Sequence, residues 1–170
     1  MPMTIDKAQV TLPSDCEVQV TRSFKAPRSL VFRAFTEPEL VRRWMLGPPG
    51  WGMPVCEMDV RPGGTYRWRW RSDEDGTEFG FFGTFREVQP PSRIVHTESY
   101  DPGTIGDSYP TAGEATITTT FTEEGGITTM TTVMNFGSKE VRDAAVKTGM
   151  TEGMEQGYQR LDRIFQEPGA

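Results

Sequence analysis

The stretch Met150-Thr151-Glu152-Gly153-Met154-Glu155-Gln156-Gly157-Tyr158-Gln159-Arg160-Leu161-Asp162-Arg163-Ile164-Phe165-Gln166 decides how the rest of the chain is read. Met150, Met154, Tyr158, Leu161, Ile164 and Phe165 recur at three- and four-residue steps, so they form one apolar stripe on an amphipathic helix. At about 1.5 Å per residue this helix is a rod of roughly 25 Å, long enough to span a small domain. Gly153 and Gly157 lie on or beside the stripe. Each costs about 1 kcal/mol inside a helix, so they point to close packing or to a space. Apart from one early helical stretch, nearly everything from Cys16 to Phe136 reads as strand. The expected fold is α+β, a curved antiparallel sheet of about six to seven strands wrapped around this C-terminal helix.

Working back from the helix, Ser138 is placed to cap a preceding one that carries Val141, Ala144, Ala145 and Thr148. At about 100° per residue this stripe points nearly opposite to that of Met150–Phe165. One straight helix cannot bury both, so a break is expected at Thr148-Gly149, with Gly149 as the C′ residue. Before it, Ala115–Phe121 and Thr128–Phe136 form a threonine-rich hairpin around Glu123-Glu124-Gly125-Gly126. Residues 101–113 read as a mobile loop rich in glycine, proline and aspartate. Ile94–Tyr100 is a strand set off by Pro90-Pro91.

The middle of the chain holds the strongest alternation. In Thr65–Ser72, Tyr66, Trp68 and Trp70 share one face, and Arg67, Arg69 and Arg71 share the other. If Asp73-Glu74-Asp75-Gly76 is the hairpin loop, Trp70 lies opposite Phe79, Trp68 opposite Phe81 and Tyr66 opposite Gly83, with Phe85 continuing the aromatic face and Phe82 pointing away. Val55–Val60 precedes it, joined by the turn Arg61-Pro62-Gly63-Gly64. Nearer the N-terminus, Cys16–Phe24 alternates as a first strand and Pro27 opens a helix bearing Leu30, Val31, Ala34 and Phe35. Thr36-Glu37-Pro38-Glu39 resembles a capping box for a second short helix through Leu40, Val41 and Trp44. Gly47-Pro48-Pro49-Gly50 ends that helix, with Trp51 at the loop tip.

Composition narrows the functional classes. The 170 residues fit one domain, with 1–15 as a flexible lead-in, 16–166 as the domain and 167–170 as a tail. Eighteen basic against 24 acidic residues give a net charge of -6, which argues against nucleic acid and anionic membrane surfaces as partners. Cys16 and Cys56 lack CxxC spacing, so neither a metal site nor a disulfide is expected. No cofactor fingerprint occurs. Met1–Pro13 lacks a signal-peptide pattern, and no apolar run approaches the length of a membrane span. A cytoplasmic protein, monomer or homodimer, is the expectation.

Several stretches together resemble one family. Ala26-Pro27-Arg28-Ser29-Leu30-Val31-Phe32-Arg33-Ala34-Phe35-Thr36-Glu37-Pro38-Glu39-Leu40 followed by Arg43-Trp44 is one. Cys56-Glu57-Met58-Asp59-Val60-Arg61-Pro62-Gly63-Gly64-Thr65-Tyr66 is a second. Gly83-Thr84-Phe85-Arg86-Glu87-Val88 with Pro90-Pro91-Ser92-Arg93-Ile94-Val95 is a third, and Ser138-Lys139-Glu140 through Gly149-Met150 to Arg160-Leu161-Asp162-Arg163 a fourth. Over roughly residues 16–166 the chain looks like a stand-alone bacterial-type member of the family related to the activator of the ninety-kilodalton heat-shock protein ATPase. That family belongs to the START-like, or SRPBCC, superfamily. The resemblance implies the helix-grip fold also seen in the birch-pollen allergen. It implies a cavity between sheet and helix more strongly than it implies chaperone activity.

The candidate site follows from both readings. Tyr66, Trp68, Trp70, Phe79, Phe81 and Phe85 form either plain core or one wall of a cavity for a small hydrophobic or aromatic molecule. Met130, Met134, Met150 and Met154 add adaptable walls. Gly83, Gly153 and Gly157 leave room, Tyr158 offers a hydroxyl, and Trp44 and Trp51 line the mouth. His96 and Glu98 share one face of a strand, an arrangement open to acid–base work or to an ordinary histidine beside an exposed carboxylate. Asp59 and Arg61 are read as structural groups of their turn. Two alternatives to ligand binding stand beside it: a co-chaperone-like regulator of a heat-shock ATPase, and a cyclase- or hydrolase-type enzyme using His96, Glu98 or Tyr158. No Gly-x-Ser-x-Gly turn is present to place a nucleophile.

Overall fold

The computed structural model describes residues 4–46, 49–104 and 114–168. Its elements are β1 (Gln9–Thr11), β2 (Glu17–Phe24), α1 (Arg28–Thr36), α2 (Pro38–Trp44), β3 (Trp51–Met58), β4 (Thr65–Ser72), β5 (Glu78–Gln89), β6 (Arg93–Asp101), β7 (Ala115–Glu124), β8 (Ile127–Asn135), α3 (Lys139–Lys147) and α4 (Met150–Phe165). The strands form one antiparallel sheet in the order β1-β2-β8-β7-β6-β5-β4-β3. The sheet curves around α4 as a helix grip. The eighth strand is β1, inside the stretch expected to be a loose lead-in. Three residues are too few to show a period of two, but they pair with Gln19–Thr21. Ile5 adds hydrogen bonds to Ser23 through both its amide and its carbonyl.

The strand register expected between β4 and β5 is the one found: Trp70 pairs with Phe79, Trp68 with Phe81 and Tyr66 with Gly83. The helix break also lies where the two stripes demand it. Ser138 caps α3 by accepting from the Val141 amide at 3.1 Å, and Gly149, at φ +79°, turns the chain into α4. Loop boundaries differ more. Thr36 ends α1, its hydroxyl donating to the Phe32 carbonyl at 2.9 Å, and Glu37 precedes α2 with no side-chain cap. Proline at the first position of α2 leaves less for a capping box to satisfy. Trp51 opens β3 opposite Ser72 instead of standing at a loop tip. The proline-rich end of α2 at residues 47–48, and most of the expected 101–113 loop, lie outside the described residues.

The core sits between the concave sheet face and the helices. Val18, Val20 and Phe24 from β2, Phe121 from β7, Met130 from β8 and Leu161 from α4 are essentially sealed from solvent. The helix α4 runs close to β2, α2 and α3. Arg22 is the exception in this core: it is fully buried on the same face of β2 as Val18, Val20 and Phe24. Its guanidinium bonds Glu155 at 3.1 and 3.2 Å and Asp162 twice at 2.8 Å. It also lies 5.1 Å from the centre of the Phe24 ring. Glu155 takes a further bond from the Ala8 amide at 2.8 Å, which fastens the chain before β1 to the long helix.

Candidate functional site

The candidate site is the concave face of β4, β5 and β6 opposite α4. Alternation along β4 sends Tyr66, Trp68 and Trp70 inward, all buried. Phe79, Phe81 and Phe85 continue the face on β5, and His96, Glu98 and Tyr100 on β6. The rings form a continuous sheet of contacts. Tyr66 and Trp68 are 4.4 Å apart, and Trp70 stacks on Phe79 at 5.4 Å. Phe81 meets Tyr100 at 5.6 Å. The imidazole of His96 is surrounded by Tyr66, Phe85 and Trp68 at 5.3, 5.9 and 6.2 Å. On the outer face Arg69 is paired with Glu78 and Asp101, each at 2.7 Å, and Phe82 is exposed as its parity requires.

The β5–β6 ladder is irregular beneath Tyr66. The Thr84 amide donates to the Thr97 hydroxyl at 2.9 Å. The Thr97 carbonyl is turned inward, where it accepts the Tyr66 hydroxyl. This carbonyl fills the place where a side chain at Gly83 would begin: a Cβ there would lie 2.0 Å from the Thr97 oxygen. Gly83 therefore serves close backbone approach and leaves no room for a ligand. Gly157 is similar, because a Cβ would lie 3.2 Å from the Trp44 ring. Of the three glycines expected to open space, Gly153 alone faces nothing within 4 Å.

Four polar groups, on β4, β6 and α4, make no hydrogen bond or ion pair among the described residues. The Trp68 indole N–H and His96 Nδ1 are fully buried and make no hydrogen bond. By contrast the other two inward indoles are satisfied, Trp44 donating to the Ala34 carbonyl at 2.8 Å and Trp70 to the Met45 carbonyl at 2.6 Å. No hydrogen bond or ion pair engages the Glu98 carboxyl or the Tyr158 hydroxyl among the described residues. Burial holds the His96 imidazole down to about 4, so it is neutral near pH 7. Burial pushes the Glu98 carboxyl up to about 7. Burial also raises Tyr158, with the charge of Glu155 adding to it. Yet His96 and Glu98 keep accessible surface. Both shifts have one cause, removal of the ionisable group from water.

Most of the remaining expected residues belong to the core or pack against it. Met150 and Met154 are partly buried on α4 and flank the open position at Gly153. Met130 and Met134 are buried in β8. Trp44 is not at a mouth: it is buried between Phe35 and Tyr158, at 4.8 and 6.1 Å. Trp51 packs on Phe79 at 5.5 Å. Asp59 and Arg61 bond each other within their own turn at 2.8 and 2.9 Å. Cys56 is buried, whereas Cys16 is only partly so. Among the described residues no cluster of His, Cys, Asp or Glu side chains suits a metal ion.

A separate shallow groove lies between α1, α2 and the end of α4, lined by Leu30, Leu40, Ile164 and Phe165. Its rim charges are already paired, Arg33 with Glu37 and Arg43 with Glu167, so it has no polar group waiting for a ligand. No helix among the described residues is long and apolar enough to cross a membrane.

The family described as Activator of Hsp90 ATPase homolog 1-like protein matches residues 25–166. No curated protein matches the chain. Among solved structures, a Rhodobacter sphaeroides protein is 28% identical with a TM-score of 0.84, over 94% of this chain and 97% of its own. A Nitrosomonas europaea protein is 25% identical with a TM-score of 0.75, over 90% and 96%. A Mycobacterium smegmatis protein has a TM-score of 0.82 over 97% and 100%, and at 21% identity it shows a shared fold alone.

Proposed function

We propose that this chain, which belongs to the family of Activator of Hsp90 ATPase homolog 1-like proteins, binds a small hydrophobic or aromatic molecule between the β4–β6 face and α4. The observation that carries this reading is the pair of buried, unpartnered polar atoms, Trp68 Nε1 and His96 Nδ1, within an otherwise aromatic surface. Buried polar groups in folded proteins are nearly always hydrogen-bonded, because an unmade bond costs about 1–3 kcal/mol. A plain core gains nothing from an indole N–H that has no acceptor. A ligand site needs a few placed polar groups among apolar walls.

Native mass spectrometry of the protein purified from its own host tests the reading. A bound small molecule in one-to-one ratio is expected, weakened in Trp68→Phe and Tyr158→Phe variants that keep the wild-type unfolding midpoint. A ligand-free mass, together with parallel loss of stability in both variants, would mean that these side chains are simple core.

The family description supports a second reading, a regulator of a heat-shock ATPase. Capture of the host chaperone and a change in its ATPase rate would support it; no effect at tens of micromolar would exclude it.

A further inference from the structure

We infer that the ligand of this space carries a basic nitrogen beside its apolar body, and that Glu98 is the group that receives it. The inference rests on the ligand-binding reading above and names the ligand class. Glu98 sits on the inner face of β6, paired with Ala115 on β7. Burial holds the Tyr66 phenol un-ionised, and the nearby Glu98 charge adds to this. Among the described residues no arginine, lysine or imidazolium forms an ion pair with Glu98. His96, two residues away on the same face, is neutral near pH 7. Tyr66 from β4 spends its proton on the Thr97 carbonyl, and Tyr158 from α4 is an un-ionised phenol. Glu114, just before β7, is exposed and paired with Arg86 at 3.3 Å.

An enclosed carboxyl with no cation beside it avoids the cost of a buried charge by keeping its proton, and a bound cation would let it ionise. The protein could have placed a leucine or a glutamine here. Instead it holds an acid on the same strand face as His96, whose neighbours are Tyr66, Trp68 and Phe85, rings whose faces attract a cation. A protonated amine would satisfy the carboxylate and rest on these rings. Its aromatic body would lie against the same rings. A neutral ligand of the same shape would leave Glu98 as unpaired as before.

The test uses two probes of one shape, 1-naphthylmethylamine and 1-naphthalenemethanol, titrated calorimetrically at pH 8 into the full chain. The inference expects the amine to bind at least about tenfold tighter, a difference of about 1.4 kcal/mol. It expects Glu98→Gln, which preserves shape, to equalise the two by weakening the amine alone. Glu114→Gln, removing the same charge at the surface, should leave the preference intact. Equal binding of both probes to wild type, or a preference that survives Glu98→Gln, overturns the inference while leaving the ligand-binding reading standing. Binding of neither probe at millimolar concentration overturns both.

Discussion

Arg22 and Glu155 meet in the interior between β2 and α4, the guanidinium Nε bonding Oε1 at 3.2 Å and Nη2 bonding Oε2 at 3.1 Å. Burial would raise the Glu155 carboxyl. Arg22, the Ala8 amide and Gln159 more than offset that and hold it below the ordinary carboxylate range. Removing one partner of a buried pair leaves the other charged and desolvated. Arg22→Met should therefore cost about 3–5 kcal/mol, read from urea unfolding. Arg22→Met with Glu155→Gln should recover part of that loss, because Asp162 has an outlet to water. Equal instability of the single and double variants would show that the pair is not the cause.

The two α4 glycines should respond oppositely to alanine. At Gly153 a methyl meets nothing within 4 Å, so Gly153→Ala should stabilise by about 0.5–1 kcal/mol through helix propensity. At Gly157 the methyl meets the Trp44 ring at 3.2 Å and its carbonyl at 3.3 Å. Trp44 is pinned by its bond to Ala34 and by Phe35, so it has little freedom to yield. Gly157→Ala should destabilise by about 1 kcal/mol despite the propensity gain. Thermal unfolding of both variants decides this, and equal midpoints would contradict the packing described.

The Tyr66 hydroxyl serves the inward-turned Thr97 carbonyl. Tyr66→Phe leaves that oxygen without a partner in an apolar surround, a cost of about 1–3 kcal/mol. Gly83→Ala should be worse, because its methyl would lie 2.0 Å from the same oxygen and a backbone atom cannot rotate away. A wild-type unfolding midpoint for either variant would contradict the irregular β5–β6 ladder.

The two titratable groups of the site act on stability in opposite directions. The carboxyl of Glu98 is raised to about 7 by burial, against about 4.3 in an unfolded chain. The folded state thus binds more protons in that window, and this contribution is present at low pH and lost as pH rises through about 7. His96 is lowered to about 4, so its contribution is present above about pH 6.5 and lost as pH falls through 4. Glu98→Gln should therefore gain on wild type between pH 5 and pH 8, by on the order of 1–3 kcal/mol. His96→Asn should gain on wild type between pH 6.5 and pH 4. Parallel stability curves for wild type and either variant would refute the assigned surroundings.

Much of this arrangement was legible in the sequence, and the reasons differ by element. The β4–β5 register follows from a tight loop and a period of two, which together leave one pairing. The α3–α4 break follows from two stripes that one straight helix cannot bury. Both are local constraints. The roles of Gly83 and Gly157 were not legible, because a missing side chain signals close approach and empty space alike; only the positions of the Thr97 carbonyl and the Trp44 ring distinguish them. Arg22 did leave a sign, as the one charged residue on the buried parity of β2, with Glu155 and Asp162 seven apart on one helix. Strand alternation was read there for its apolar members alone. That Trp68 Nε1 and His96 Nδ1 make no hydrogen bond among the described residues depends on contacts between β4, β5 and β6, which a single chain of letters does not display.

The most direct test of the ligand site is the indole N–H resonance of Trp68 in a nitrogen-15 correlation spectrum, during titration with 1-naphthylmethylamine. Trp44 and Trp70 already donate to backbone carbonyls and serve as internal controls. The account predicts a saturable shift centred on Trp68, with the Trp44 and Trp70 signals little changed. An unmoved Trp68 resonance at saturating probe, or small equal drifts of all tryptophan signals, would contradict it.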